Sequence, residues 1–242
     1  MKGFAAVFTK DLRFYFFSFS GYIVAGLLCL SSSVAFFLIH GFFYRGVATL
    51  QAYFEILAPI LVVAVAAITA GAWGTENSGG TDEILLSLPV GDGSMVLGKW
   101  AATLAYFLVV LAAASLAPLA VTAFGDFDRG VIVAQFVGLL LFLAAALAWG
   151  QLFSLVAKNT VAGFFLALAF LLALGLSHRL SPLFSPTSVM AEVLNTVSLE
   201  FRFRSFARGI VDTRDVSYLL AVTAMGLFLS ARFVAKRRRA DG

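Results

Sequence analysis

Residues 93–99, Gly-Ser-Met-Val-Leu-Gly-Lys, repeat the GxxxxGK spacing with which a glycine-rich loop and a lysine cradle nucleotide phosphates. The next position breaks that chemistry. It holds Trp100, where a Ser or Thr hydroxyl is needed for Mg²⁺, and an apolar run follows where no strand precedes. The segment reads instead as a flexible turn followed by an interfacial lysine and tryptophan. The two histidines, His40 and His178, stand at the ends of apolar runs, with no His or Cys neighbour at metal-ligand spacing. No HExxH or GxSxG occurs, which argues against a membrane-embedded hydrolase. Cys29 is the only cysteine, lies inside an apolar run and reads as a small packing residue.

What remains is a hydrophilic island at 76–89, Glu-Asn-Ser-Gly-Gly-Thr-Asp-Glu-Ile-Leu-Leu-Ser-Leu-Pro, between two membrane-length apolar runs. Thr81 can cap a helix N-terminus, and Asp82 and Glu83 suit its positive end. Ile84, Leu85, Leu86 and Leu88 make an apolar ridge, and Pro89 closes it. A passive helix on anionic lipid would carry a Lys/Arg-rich polar face, whereas these flanks are acidic. The island is therefore expected to dock another protein, helix in groove.

The elements around it follow from composition. The 242 residues are 61% hydrophobic and 12% charged, with mean hydropathy +0.98. A soluble domain averages about 45–50% apolar and about 25% charged. A helix crosses the roughly 30 Å hydrocarbon layer with about 20 apolar residues. Six such runs occur, at 22–39, 54–73, 101–124, 131–157, 160–177 and 216–235. Backbone in lipid must satisfy its own hydrogen bonds, so these are transmembrane α-helices. A β-barrel would show weak alternation over roughly 10-residue segments instead. The expected fold is an all-α polytopic membrane protein, a single transmembrane domain over 1–242. The apolar run that starts near Phe14 outlasts the core of a cleavable leader, so an uncleaved anchor is expected.

An even number of spans puts both termini on one side. With the termini inside, ten Lys/Arg fall inside and seven outside, five of those seven in the 178–215 connection. The basic cluster at 236–239 favours cytoplasmic termini most strongly. The net charge of +4 then belongs to a membrane-facing rim, not to nucleic-acid binding.

Several local features refine this picture. Phe4, Val7, Phe8, Leu12 and Tyr15 recur at helical spacing opposite Lys2, Lys10 and Arg13, as in an interfacial helix with its apolar face in lipid. The hydroxyls of Ser31, Ser32 and Ser33 suggest a face against protein. Ala67 and Gly71 form a small-xxx-small pair suited to tight helix contact, and Trp73 sits where an interfacial aromatic belongs. Glu55, at the outer end of span two, either snorkels to water or serves as a functional carboxylate. Pro118 should kink span three. Gln135 and Gln151 should face other helices. In the 178–215 connection, Pro186 can open a helix with a Val189, Met190, Val193, Leu194, Val197 stripe. The LEFRFRSF stretch at 199–206 is expected to be a second helix, ended by Gly209.

At the island the sequence resembles the membrane-spanning subunit of ABC-2-type transporters, and within it the gliding-motility-associated permease subfamily. The pattern ExxxGTxExLLxxP, followed about ten residues on by GK, is matched by Glu76, Gly80, Thr81, Glu83, Leu85, Leu86, Pro89, Gly98 and Lys99. Lys10, Asp11, Leu12, Gly21 and Tyr22 resemble the family's opening. Phe203, Phe206, Gly209, Asp212, Arg214, Asp215 and Tyr218 resemble its approach to the last span. Gly71, Asn77 and Ser78 depart from it, standing where the family often has basic residues.

The resemblance implies a bacterial inner-membrane half-transporter with no ATPase of its own and no cofactor. ATP and Mg would belong to a separate, dimeric ATP-binding subunit. That subunit would dock on a coupling helix built from Glu76, Gly80, Thr81, Asp82, Glu83, Leu85, Leu86 and Pro89. A second permease subunit, identical or related, would complete the channel. Its work would be export or envelope-associated movement. A structural anchor or force relay that moves no substrate would need the same spans and docking.

Overall fold

The computed structural model describes residues 2–45, 48–79, 91–185 and 188–240. It runs α1 (Lys2–Phe17), α2 (Phe19–Val34, continued by a π-helical turn Ala35–Ile39), α3 (Phe42–Arg45), α4 (Gln51–Gly79) and α5 (Asp92–Ala120, continued by a 3₁₀ turn Val121–Phe124). Then follow α6 (Arg129–Val156), α7 (Thr160–Leu176, continued by a 3₁₀ turn Ser177–Leu183), α8 (Val189–Val197), α9 (Leu199–Ala207) and α10 (Thr213–Ala240). No strand occurs among the described residues. Six helices are long and apolar enough to cross a membrane: Phe19–Tyr44, Gln51–Gly74, Asp92–Phe124, Arg129–Val156, Thr160–Leu183 and Thr213–Arg239. This is the architecture of a multi-pass membrane protein. Both chain ends lie at one end of the bundle, here the terminal end; the opposite one is the far end.

Burial sorts the spans. The most apolar windows of α4 and α6 are 67% and 61% buried, against 17% for α2 and 22% for α7. The bundle is therefore built around α4 and α6, with α2 and α7 at its edges. α4 packs chiefly on α6 and α7, α10 on α6, and α1 on α5.

Lipid tails are as apolar as leucine, so burial against lipid gives helices little reason to associate. Close packing and interhelical hydrogen bonds do that work, at roughly 0.6–2 kcal/mol per bond. The chain supplies both. Phe36, Tyr53, Phe54, Tyr106 and Phe107 fill the core between α2, α4 and α5. Polar ties cross it: Tyr106 Oη donates to Gly21 O (2.7 Å), and the Tyr53 and Ser115 hydroxyls meet at 3.3 Å. Trp100 Nε1 donates to Ala144 O (3.1 Å) and Trp149 Nε1 to Val222 O (3.2 Å). Gln135 and Gln151 face other helices as expected, donating to Ala207 O (2.8 Å) and Val96 O (3.1 Å). Ser32 is buried and bonds back to Cys29 O, while Ser31 is exposed.

α1 is a separate helix because Ser18 interrupts the chain and caps α2, its hydroxyl accepting from Gly21 N. Its packed face differs from the expected lipid face. Val7, Asp11 and Tyr15, four residues apart, are all buried, and α5 covers them. The Ala67 face differs as well: Ala67 is exposed, bordering a groove with Val24 and Leu27 of α2.

The 178–215 connection is helical throughout its described elements. α8 starts at Val189, with Ser188 Oγ accepting from Ala191 N; its expected opening at Pro186 lies outside the described residues. α9 ends at Gly209, whose φ of +83° only glycine adopts cheaply. There the amides of Gly209 and Ile210 reach back to Phe206 O and Ser205 O. One hydroxyl ties the start of α9 to the end of α7. Ser198 Oγ donates to Gly175 O (2.6 Å), accepts from Phe201 N, and lies 2.9 Å from His178 Nδ1. A serine has one proton, so the His178 proton sits on Nδ1.

Candidate coupling site at the terminal end

The island emerges from α4 and returns through α5. Glu76 lies in the last turns of α4. Gly80, Thr81, Asp82, Glu83, Leu85, Leu86 and Pro89 lie outside the described residues, and so does the expected coupling helix. What the structure describes is the base on which the island stands.

That base is a buried polar knot. Lys99 is 1% exposed. Its ammonium donates to Ala72 O of α4 (2.7 Å), lies 3.3 Å from Asp11 Oδ2 of α1, and sits 4.8 Å from the centre of the Trp73 ring. The Asp11 carboxylate is nearly as buried, and Lys10 Nζ lies 3.9 Å from its other oxygen. One turn further along α5, Thr103 Oγ1 donates to Lys99 O (2.9 Å) and lies 3.2 Å from Tyr15 Oη. One ammonium thus holds three helices together: α1, the last turns of α4 and the second turn of α5.

Lys99 and Trp73 are therefore not the interfacial residues the sequence suggested. A lysine that close to a helix start could reach water. The burial of Asp11 on the facing side of α1 makes inward pairing available instead. Gly98 permits the approach. A Cβ there would come 3.1 Å from the Val7 side chain and 3.3 Å from Phe4 O, so α1 could not lie this close over a larger residue. The Gly98-Lys99 pair thus has a local physical reason: glycine for contact, lysine for charge.

Neighbouring ties complete the base. Ser154 Oγ of α6 donates to Ala70 O (2.9 Å) and accepts from the amides of Trp73 and Gly74 (3.1 and 3.2 Å). Arg238 Nη1, near the end of α10, pairs with Asp92 Oδ1 at the start of α5 (2.7 Å). Hence part of the basic 236–239 cluster braces the helix that leaves the island.

The 93–99 segment cannot cradle phosphate. It is continuous helix within α5, which begins at Asp92 with Gly91 as its cap, so from Met95 on its amides are committed to the helix, and the lysine that would reach the phosphates is buried against α1 and α4. Among the described residues, no group of three or more His, Cys, Asp or Glu is placed to hold a metal ion. His178 is buried at the far end beside Ser198, with Nε2 3.9 Å from Glu200 Oε1.

Asp11, Tyr15, Trp73 and Thr103 were missed as site residues. A signal existed: Asp11 interrupts an apolar stripe at the spacing 7, 11, 15, and a carboxylate on such a stripe demands a cation on the covering element. No protein-family model matches the chain, and no curated protein matches it.

Proposed function

We propose that the chain is the membrane-spanning permease subunit of an ABC-2-type complex, resembling the gliding-motility-associated subfamily. It couples ATP hydrolysis in a separate subunit to export or envelope-associated movement. The complex sits in a bacterial inner membrane with both termini of this chain cytoplasmic. Two permease subunits, identical or related, pair across it. The ATP-binding subunit grips the 76–89 island through its apolar ridge of Ile84, Leu85, Leu86 and Leu88, rimmed by Asp82 and Glu83. ATP and Mg act in that partner.

One observation carries the reading: the bases on both sides of the island are locked to each other and to α1 by the buried Lys99. An element that receives a push must stand on a rigid footing, or the push is lost in local bending. Here the last turns of α4 and the second turn of α5 share one buried ammonium, so a displacement of the island reaches both spans and α1 together.

The test is copurification from native membrane, followed by ATPase assay in reconstituted vesicles. An ATP-hydrolysing subunit should accompany the chain. Leu85→Asp or Glu83→Lys should abolish stimulation of its ATPase while this chain still inserts. Full stimulation by both folded variants would refute docking at the island.

A further inference from the structure

The cap at the far end carries two kinds of arginine. Arg179 is paired with Glu200 (2.9 Å) and Arg202 with Asp215 (3.0 Å), and these bonds tie the cap together. Arg204 and Arg208 are different. They lie one turn apart on the exposed face of α9 and its cap, opposite the buried Phe203, Phe206 and Ala207. Among the described residues neither is ion-paired with a carboxylate. Arg208 Nε donates only to the backbone oxygen of Arg204, at 3.3 Å, which leaves its outer nitrogens available.

Both arginines line a cavity of about 440 Å³ with Phe201, Ser205 and, across from them, Glu55 of α4. That volume lies in the range of small-ligand sites, roughly 300–1,000 Å³. Glu55 is held by Gln51, whose Nε2 donates to Oε1 at 2.8 Å, and it forms no ion pair with either arginine. Opposite charges thus share one cavity without touching. A ligand that satisfies both must itself carry an anionic group at one end and a cationic group at the other.

We propose that this cavity binds a head group bearing a phosphate and a primary amine. The phosphate sits between the guanidinium groups of Arg204 and Arg208, whose forked donors match its oxygens, with the Ser205 hydroxyl beside it. The ammonium sits against Glu55. Exposed apolar surface adjoins the site at Phe201, on its wall. An acyl chain attached to the phosphate can lie on that surface. The same head-group chemistry occurs in an aminophospholipid and in free phosphoethanolamine. The inference does not depend on the coupling reading.

The test uses the full chain, purified in detergent and equilibrated with equal amounts of phosphatidylethanolamine, phosphatidylcholine and phosphatidylglycerol of one acyl composition. Retained lipid is read by native mass spectrometry. The wild type should enrich phosphatidylethanolamine roughly three- to fivefold over both others, the scale of partly exposed ion pairs. Arg204→Gln with Arg208→Gln should return retention to the bulk ratio. Glu55→Gln should remove the preference over phosphatidylglycerol, because the ammonium then has no counter-charge. Displacement of the retained lipid by millimolar phosphoethanolamine would make the free compound a ligand too. Enrichment that resists it would assign the site to the lipid. Retention at the bulk ratio by the wild type overturns the proposal, as does a preference unchanged in both variants. The wild-type comparison decides even where a variant misfolds.

Discussion

Replacing Lys99 by Met tests the footing of the island directly. The substitution keeps the length of the side chain and removes its charge. It deletes the 3.3 Å pairing with Asp11, the 2.7 Å bond to Ala72 O and the contact with the Trp73 ring. A hydrogen bond from a charged donor contributes about 1.5–3 kcal/mol, and a desolvated cation–π contact about 2 kcal/mol. Removing one member of a buried ion pair costs about 3–5 kcal/mol in total, since a single ammonium makes all these contacts. Lys99→Met should therefore lower the unfolding free energy by about 3–5 kcal/mol. The double variant Asp11→Asn with Lys99→Met removes the stranded charge as well. It should be more stable than the sum of the single effects, with a coupling of at least about 1 kcal/mol. Reversible unfolding in mixed micelles, followed by far-ultraviolet circular dichroism, measures all four proteins. Single variants within about 0.5 kcal/mol of wild type, or strictly additive effects, would show that the pair does not join α1 to α5.

Other expectations follow from the same contacts. Gly98→Val should push α1 off α5 and cost about 1–3 kcal/mol, the usual penalty of overpacking, read as faster proteolysis within residues 2–17. Gln135→Leu should change stability by less than about 1 kcal/mol: it loses one amide bond in a membrane helix pair but also removes a buried acceptor with no partner. A loss above about 2 kcal/mol would mean that a water completes that amide. Neutralising the four basic residues at 236–239 should weaken the inside bias of the C-terminus, read by reporter fusions at both termini. ATP-dependent uptake by reconstituted vesicles, if wholly absent with an active ATPase partner, would favour a force relay over a transporter.

The spans were legible because lipid imposes one simple rule, a long apolar helix, and each of the six runs obeys it. Gln135 and Gln151 were legible for the same reason, since an amide has no good place but another helix. The helical reading of 199–206 followed from the lack of any sheet to join, and α9 agrees with it. Lys99 was misread because its partner Asp11 is distant in sequence, and local pattern cannot show which helix covers which. The lipid-facing reading of α1 failed likewise: amphipathicity marks a buried stripe but not whether lipid or α5 covers it. The docking ridge itself, 81–89, lies outside the described residues, so its sequence remains the basis for it.

The shared hydroxyl of Ser198 has a mechanical consequence. Its bonds to Gly175 O and Phe201 N tie α9 to the top of α7, Ser177 Oγ ties the same end of α7 to Leu194 O of α8 (3.0 Å), and Tyr218 Oη of α10 secures the corner by donating to Val197 O (2.6 Å). With Phe203 and Phe206 buried in the core beneath it, a cap fastened at so many points can shift only together with the spans it is fastened to.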